Sequence, residues 1–343
     1  CIRDRGIEDL IVRRAEVFRE KQGIDLHTAH RVGRIDRSSK TVSGTTAEGE
    51  TFETAYDKLL IATGAAPIRP QVPGIDLPGV VVLKTLEDGR RIKGLLAQNH
   101  MQQVVIVGMG YVALEMAESL RKLDVDVFMV KPNPRFLPWL EQTLADLVYR
   151  ELEDNGVEIH AGCALERIEA DGSRLKVICT GLESTCDMVL VAVGVVPCSG
   201  IAAQADLQLG PADAIAVDQR TQTSDADIYA AGDCADAYHV VTGDKTWIPL
   251  ALRANRAGWA AADSVCGRKA QLQGIAGTAV FRVFDMQVAR TGLNLAEAEK
   301  AGFDPVQNWI ESRSRAHTQE GATGIWVNLI GDKKSGRLLG AQM

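Results

Sequence analysis

The chain has 343 residues, enough for two or three domains of ordinary size. Its hydrophobic fraction of 46% and charged fraction of 24% are those of globular proteins, which excludes a disordered chain, a collagen and a coiled coil. The formal net charge of -7 leaves no strong basic field, so nucleic acid is not an expected partner.

Apolar runs in the sequence are short. Runs such as Met188–Val196 fall far below the roughly 18 residues that cross a bilayer, and the chain opens on no signal-peptide pattern. The seven cysteines include no Cys-x-x-Cys pair and form no disulfide framework for a chain of this size. We therefore expect a protein of the reducing cytoplasm with no membrane partner.

In chain order, residues 24–62 predict a β-meander that ends in an apolar strand, and the prolines between residues 67 and 78 predict a domain crossing. A β-branched run at 104–107 then predicts a strand buried on both faces of a parallel sheet. Helical periodicity follows from residue 111 to 123, and then a strand at 125–130 and a helix at 140–152. Strand, turn, helix and strand form a βαβ unit.

Beyond this unit, we expect a second β-meander from residue 157 to 193. A strand at 228–231 and a helix at about 250–265 follow. After residue 277 the pattern predicts a small α+β domain with a strand at 278–291, a helix at 295–301, a strand at 305–311, and a hairpin of 325–330 with 337–342.

The sharpest local signal is a GxGxxA turn formed by Gly108, Gly110 and Ala113, between the buried strand and its helix. The first glycine permits the tight turn, the second lets the backbone approach a pyrophosphate, and the small third residue lets the helix pack on the strand. The N–H groups at the helix start then face the phosphates. Because the motif has its strand-turn-helix context, it predicts a dinucleotide site rather than an unliganded turn.

The position that usually carries an acidic residue for the NAD ribose is occupied by Lys131, with Arg135 nearby. A cation at this position favours a 2′-phosphate, so the sequence favours NADPH over NADH. The alternative is a solvated surface lysine, with the cofactor choice set elsewhere.

Two further strand ends carry glycine, at Thr63-Gly64 and at Gly232-Asp233. Glycine after a sheet strand lets the backbone approach a ligand, and an aspartate there can bind ribityl or ribose hydroxyls. Each alone is compatible with an ordinary strand end. Their order around the GxGxxA unit indicates a second nucleotide site.

These motifs follow one another in the order YDKLLIATGA, VVIVGMGYVALEMAE, VLVAVGVVP, TSDADIYAAGDCAD, TWIPLALRANRAGWAAAD and FRVFDMQVARTGL. The order resembles that of the FAD-dependent pyridine nucleotide-disulfide oxidoreductases, over essentially the whole chain. Within them it is most similar to the branch of coenzyme A-disulfide reductases, NADH oxidases, NADH peroxidases and persulfide or polysulfide reductases.

The resemblance implies an α/β fold of two doubly wound nucleotide-binding domains and a small α+β dimerisation domain. Residues 1–75 with 196–272 correspond to a partial FAD-binding domain, 76–195 to the inserted NAD(P)-binding Rossmann domain, and 273–343 to a partial C-terminal dimerisation domain. A homodimer is therefore expected. The family's first GxGxxG unit, its redox cysteine and its final segment are not in the sequence, which implies truncation at both ends.

The resemblance also implies roles for single residues. Asp233 is placed like the aspartate that holds the ribityl chain of FAD, and Tyr111 like the side chain that gates the nicotinamide pocket. Helix packing is the alternative for Tyr111 and for Glu115, which resembles the family's glutamate beside the flavin. The remaining positions assigned to FAD or NAD(P)H are Val32, Thr63, Gly64, Gly194, Gly232, Leu250 and Ala251.

The catalytic residue is expected upstream of residue 1, because Cys1 lies several residues past the place of the family's redox cysteine. By the same resemblance, Lys21 and Asn255 occupy positions that contact coenzyme A in the disulfide reductases; the alternatives are a surface lysine and a core-helix asparagine. A basic cluster could also meet coenzyme A phosphates, although a solvated face is the simpler interpretation; it consists of Arg313, Arg315 and His317. No metal site is predicted, since His27 and His30 have no third ligand in view.

The sequence thus predicts a flavoprotein oxidoreductase that passes electrons from NAD(P)H through FAD to a cysteine redox centre. That centre would reduce coenzyme A disulfide or a persulfide or polysulfide. The alternatives are an NADH oxidase or peroxidase, a ferredoxin-type reductase without a substrate thiol, and a non-catalytic dinucleotide-binding redox module.

Overall fold

The computed structural model of the chain describes residues 6–98, 101–316 and 318–343. The described helices are α1 (Leu86–Gln98), α2 (Tyr111–Arg121), α3 (Gln142–Asp154), α4 (Gly200–Gln204), α5 (Ala251–Val265) and α6 (Leu295–Lys300), with short helical turns at Ile7–Leu10, Val17–Lys21 and Pro211–Asp213. The described strands are β1 (His30–Asp36), β2 (Thr41–Thr46), β3 (Thr51–Ala55), β4 (Leu59–Ile61), β5 (Ala65–Pro67), β6 (Val80–Val82), β7 (Gln103–Val107), β8 (Asp126–Lys131), β9 (Val157–Ala161), β10 (Leu165–Asp171), β11 (Arg174–Cys179), β12 (Leu182–Cys186), β13 (Met188–Val191), β14 (Val195–Pro197), β15 (Ile228–Ala230), β16 (Ala237–Tyr238), β17 (Lys245–Thr246), β18 (Ala279–Val283), β19 (Met286–Gly292), β20 (Pro305–Arg313), β21 (Gly324–Asp332) and β22 (Leu338–Gln342).

Contacts within the chain define two compact units. Among the described residues, unit 1 contains Pro67–Val195 and Ala276–Met343, and unit 2 contains the chain up to Ala66 together with Val196–Ile275. The chain therefore crosses between the units near the predicted proline-rich stretch. The finer division into three domains stays a prediction, since unit 1 includes both the Rossmann region and the C-terminal region.

Unit 1 is built on a five-stranded parallel sheet in the order β6-β13-β7-β8-β9. In β7, Val104 and Ile106 enter a core shared with α2 and α3, whereas Val105 and Val107 enter a second core shared with β10 and β11. A strand buried on both faces must be apolar at every position, which explains its uninterrupted β-branched run. The α/β fold predicted from the sequence is confirmed.

The second predicted meander is wrong in its extent. The strands β9 and β13 pair in parallel with β8 and β7, and only β10, β11 and β12 form an antiparallel sheet. Short apolar runs have the same appearance in parallel and antiparallel sheets, so periodicity could not separate them. The segments β6, α1 and β12 were not predicted.

The C-terminal part of unit 1 is a five-stranded antiparallel sheet in the order β18-β19-β22-β21-β20. The single strand predicted over 278–291 is instead a hairpin, β18 with β19. Phe284 lies at its turn with a φ of 49°. A non-glycine residue in this left-handed region is uncommon, so no turn was predicted at this position.

Unit 2 carries the three-stranded sheet β1-β2-β3 and a two-stranded parallel sheet of β15 and β4. Ile228 pairs with Leu59 and Ala230 with Ile61, so the two glycine-terminated strands lie side by side. Their carboxyl ends therefore meet at one edge, as expected for a nucleotide site in an α/β sheet. Along the described residues, neither unit has a helix of the length and apolarity needed to cross a bilayer.

Candidate functional site

The glycine turn after β7 is shaped by close backbone packing. Gly108 has a φ of 116°, and a Cβ at this position would lie 2.2 Å from the carbonyl oxygen of Ala192. The Gly108 N–H also donates to the carbonyl of Val130 at 2.8 Å. The fold itself therefore requires glycine at this position.

Gly110 is different, because nothing in the protein requires it to be glycine. It is the N-cap of α2 with an ordinary φ of -88°, and a Cβ added there would meet no protein atom within 4 Å. No side chain caps this helix start, so its first N–H groups stay available. An open cradle at an uncapped helix N-terminus fits a pyrophosphate. Ala113, fully buried one turn later, allows α2 to approach the sheet.

Tyr111 and Glu115 lie one turn apart on α2 in different environments. The Tyr111 ring packs between the rings of Trp139 and Phe281, at centroid distances of 5.3 and 5.0 Å, and burial raises the pKa of its hydroxyl. The Glu115 side chain is exposed to solvent, although desolvation of its carboxyl group and the neighbouring Glu118 raise its pKa. Tyr111 is thus fixed beside the glycine turn, and Glu115 is accessible.

Lys131 at the end of β8 is engaged by its own loop. Its ammonium group donates to the carbonyl oxygens of Arg135 at 2.7 Å and Phe136 at 2.8 Å, and desolvation lowers its pKa. Arg135 has an exposed side chain, and its backbone N–H is held by Asn133. The structure therefore uses Lys131 to brace the loop and leaves Arg135 as an exposed cation.

In unit 2, side-chain donors hold the loop that carries Asp233. Arg253 donates to the carbonyl oxygens of Gly232 at 2.6 Å and Ala235 at 3.0 Å, and the Trp247 indole N–H donates to that of Asp233 at 2.8 Å. Gly232 has a φ of 87° and space for a Cβ, so it serves the backbone conformation. Sequence reasoning missed Arg253 and Trp247, because no motif marks a side chain that binds carbonyl groups from a distant segment.

A buried ion pair supports the same loop. Asp236 is fully buried and accepts from the Lys245 ammonium at 2.8 Å and from the Val217 N–H at 3.0 Å. Arg253 also donates to the Asp236 carbonyl. Together these bonds hold the loop in place.

The other predicted flavin positions also lie in unit 2. The Thr63 hydroxyl donates to the Cys198 carbonyl at 2.6 Å, and Gly64 has a φ of 71°. Leu250 is the N-cap of α5 without a side-chain cap, so the N–H groups of the first turn, beginning at Ala251, are available to a ligand. These features are compatible with close approach of a ligand to backbone groups.

The remaining predicted positions are more scattered. Val32 is exposed in β1 and its backbone pairs with Gly44, whereas Gly194 follows β13 in unit 1 with a φ of 117°. Lys21 and Asn255 are both exposed on unit 2. In the basic cluster, Arg313 ends β20, Arg315 donates to the Glu320 carbonyl at 3.2 Å, and His317 lies outside the described residues.

Two of the thiols in the described residues are unsuited to nucleophilic chemistry. Cys179 and Cys186 are buried, and desolvation raises their pKa values to about 11 and about 12. Thiols with such pKa values stay protonated near neutral pH and are weak nucleophiles. Cys1 lies outside the described residues. Nor do the described side chains place three His, Cys, Asp or Glu residues together for a metal ion; His27 contacts Asp25 at 3.1 Å instead.

Known proteins resemble this chain over most of its length. The family described as pyridine nucleotide-disulphide oxidoreductase matches residues 3–258, and its dimerisation domain matches residues 278–343. A relative from Pyrococcus furiosus, named NAD(P)H sulfur oxidoreductase (CoA-dependent), is 33% identical over 333 residues, which cover 95% of this chain and 73% of the relative. A relative from Methanocaldococcus jannaschii, named NADH oxidase, is 32% identical over 340 residues, which cover 99% of this chain and 75% of the relative.

A solved structure gives the same result. The NAD-dependent persulfide reductase from A. fulgidus is 35% identical, with a TM-score of 0.93 over 96% of this chain. The chain spans only 61% of the length of that protein. The family and the fold class expected from the motif order are confirmed.

Proposed function

The chain belongs to the pyridine nucleotide-disulphide oxidoreductase family, and we propose that unit 1 binds NAD(P)H at the glycine turn after β7. In the same proposal, unit 2 contributes to an FAD site. The observation that carries the proposal is Gly110. It is a glycine that the fold does not need, with empty space where its side chain would be, at the uncapped start of a helix. A ligand that lies against this backbone accounts for the missing side chain.

At the dinucleotide site, each residue has a separate task. The N–H groups at the start of α2 would bind the pyrophosphate, and Gly110 would admit it. Arg135 would meet a 2′-phosphate, which favours NADPH, while Lys131 holds the loop in place. Tyr111 would lie toward the nicotinamide, and Gly194 would let the backbone after β13 approach it.

The residues of unit 2 fit a flavin. Asp233 is presented on a loop braced by Arg253 and Trp247 and would bind ribityl hydroxyls. Thr63, Gly64, Leu250 and Ala251 offer backbone groups to the flavin, and Val32 offers its backbone to the adenine. Bound FAD supplies two-electron chemistry between a nicotinamide and a sulfur centre, while the protein supplies binding and orientation.

We propose that the electrons pass to a cysteine redox centre upstream of residue 1 and then to coenzyme A disulfide or to a persulfide or polysulfide. Two similar proteins are named for coenzyme A dependence and for persulfide reduction, and these names support this substrate class. Lys21 and Asn255 would contact coenzyme A, and the dimerisation domain supports a homodimer. The cytoplasmic location stays a prediction.

The acceptor is tested with the purified full-length protein, which includes the proposed upstream redox cysteine, saturated with FAD and kept under argon. NADPH consumption is followed under argon with coenzyme A disulfide or with inorganic polysulfide. A separate cell contains dissolved oxygen at the same concentration and no sulfur acceptor. The proposal expects the sulfur acceptors to give the faster rates. Equal or faster consumption of NADPH with oxygen alone would replace the proposal with an oxidase activity. Another relative is named NADH oxidase. Saturable NADPH binding without turnover on any acceptor would favour a non-catalytic dinucleotide-binding module.

A further inference from the structure

The C-terminal segment of unit 1 packs against the start of the dinucleotide-site helix. Tyr111, the first residue of α2, directly follows Gly110, and its ring contacts both Trp139 and Phe281. The last two rings also contact each other, at a centroid distance of 5.9 Å. Phe281 lies on β18 and is 6% exposed. Three aromatic side chains therefore form a closed cluster one residue beyond the phosphate cradle.

Other side chains of the C-terminal segment hold this cluster in place. The Arg290 guanidinium lies 5.8 Å from the Trp139 ring centroid and forms an ion pair with Glu297 at 2.8 Å. The carbonyl oxygen of Trp139 accepts from the Gln342 side-chain amide at 3.1 Å. Residues distant in sequence thus contact both the face of the indole ring and the backbone carbonyl of Trp139.

The same hairpin contacts α2 again two turns later. The Glu118 carboxylate accepts the backbone N–H of Phe284 at 2.9 Å and lies 3.6 Å from the Arg282 guanidinium. The β18–β19 hairpin therefore contacts α2 at its first turn through Phe281 and at its third turn through Glu118. Two separated contacts fix both the position and the direction of a helix axis, and with them the direction of its N-terminal N–H groups.

We propose that Phe281 is a positioning residue of the dinucleotide site and acts through Tyr111. Its ring fixes the Tyr111 side chain and the first turn of α2, so that the N–H groups are preorganised for the pyrophosphate. Preorganisation of this kind raises affinity because less conformational freedom is lost on binding. The inference rests on the proposed binding of NAD(P)H, and it adds a contribution from a segment outside the glycine motif.

The experiment compares NADPH binding by the full chain with that of Phe281→Leu and of a matched control, Phe284→Leu. Both phenylalanines lie in the same hairpin and the same core cluster, and each is 6% exposed. Phe284→Leu keeps the backbone N–H that Glu118 accepts, so the contact of the hairpin with the third turn of α2 is retained. Of these two phenylalanines, Phe281 is the one with a described ring contact to Tyr111. We expect Phe281→Leu to weaken binding about three- to tenfold, the effect of losing one aromatic pair, and Phe284→Leu to weaken it less than about twofold.

A double-mutant cycle with Tyr111→Ala separates positioning from general loosening of the fold. The inference expects that Phe281→Leu has no further effect on NADPH affinity once Tyr111 is alanine. Equal weakening by the two leucine variants, or an undiminished effect of Phe281→Leu in the alanine background, would overturn it. Should Phe281→Leu fail to fold, Phe281→Met gives the same comparison with a flexible side chain. A wild-type chain that binds neither NADPH nor NADH would instead overturn the proposed function, and the inference with it.

Discussion

The loops that follow β7 in unit 1 and β15 in unit 2 each carry a glycine near their start, but they are held in place by different means. In unit 1 the turn at Gly108 is fixed by backbone against backbone, since its Cα faces the Ala192 carbonyl. In unit 2 the loop from Gly232 to Asp236 is fixed by side chains, because Arg253 and Trp247 bind its carbonyl groups. The function proposed for both loops, presenting backbone to a nucleotide, therefore depends on glycine in one unit and on hydrogen-bond donors in the other.

The largest effect is expected from removing the donor in unit 2. Arg253→Met leaves three carbonyl groups of the loop without their charged partner. Unsatisfied partly buried carbonyls are costly, so the free energy of unfolding should fall by about 3 kcal/mol. Urea titration measures this change. The matched control is Arg256→Met, an exposed arginine one turn later on α5, which should change stability by less than about 0.5 kcal/mol. Equal effects of the two variants would refute the side-chain bracing of this loop.

A smaller loss is expected from Gly108→Ala in unit 1. The added methyl group would collide with the Ala192 carbonyl, and the positive φ strains any side chain. We expect a loss of about 2 kcal/mol in the free energy of unfolding. Gly94→Ala in α1 is the control, because a Cβ there meets open space and alanine favours a helix. A stability for Gly108→Ala as high as that of the control would show that backbone packing does not fix this turn.

A pH-dependent contribution to stability is expected from one carboxyl group of unit 2. In unit 2, hydrogen bonds from Lys40 and Lys58 lower the pKa of Asp227 to about 2, from an ordinary value of 3.8. A carboxyl group whose pKa is lowered on folding stabilises the fold above its unfolded pKa, and this contribution is lost as the pH falls from about 4 toward 2. The urea midpoint of the wild type should therefore drop between pH 5 and pH 3 more than that of Asp227→Asn. Asp57→Asn serves as the control on the same surface; a drop in Asp227→Asn as large as in the wild type would contradict the assignment.

The smallest effect concerns the two cations after β8. Because Lys131 binds loop carbonyls and Arg135 is exposed, Arg135→Met should lower the preference for NADPH over NADH by about fivefold. Lys131→Met should weaken both nucleotides by similar factors and leave their ratio unchanged. Affinity measurements with both nucleotides test this. A ratio that responds to Lys131 and not to Arg135 would return the 2′-phosphate to Lys131, as the sequence position alone suggested.

The sequence was most informative where one short segment decides the structure. The β-branched run before Gly108 and the helical period after it predicted β7 and α2, because each pattern is local. It was least informative where distant segments meet. Nothing near Arg253 indicates that its guanidinium binds the Asp233 loop, and nothing near Phe281 indicates that it packs on Tyr111. The parallel pairing of β9 and β13 was missed for the same reason.

The Lys131 position illustrates a further limit. Its place in the motif correctly marked the end of β8, where the ribose of a dinucleotide would bind. The direction of its ammonium group depends on the path of residues 132–136, which fold back so that two of their carbonyls face it. A prediction from spacing gives the position of a side chain and leaves its hydrogen-bond partners undetermined.

The most direct test of the account is the affinity of the chain for NADPH with and without a side chain at Gly110. Gly110→Ala places a methyl group in space that no protein atom occupies, so folding should be unaffected. We predict saturable NADPH binding by the wild type and by Gly94→Ala, and affinity reduced about tenfold or more in Gly110→Ala at an unchanged melting temperature. Equal NADPH affinity of Gly110→Ala and the wild type would show that the pyrophosphate does not lie in this cradle, and would contradict the central claim.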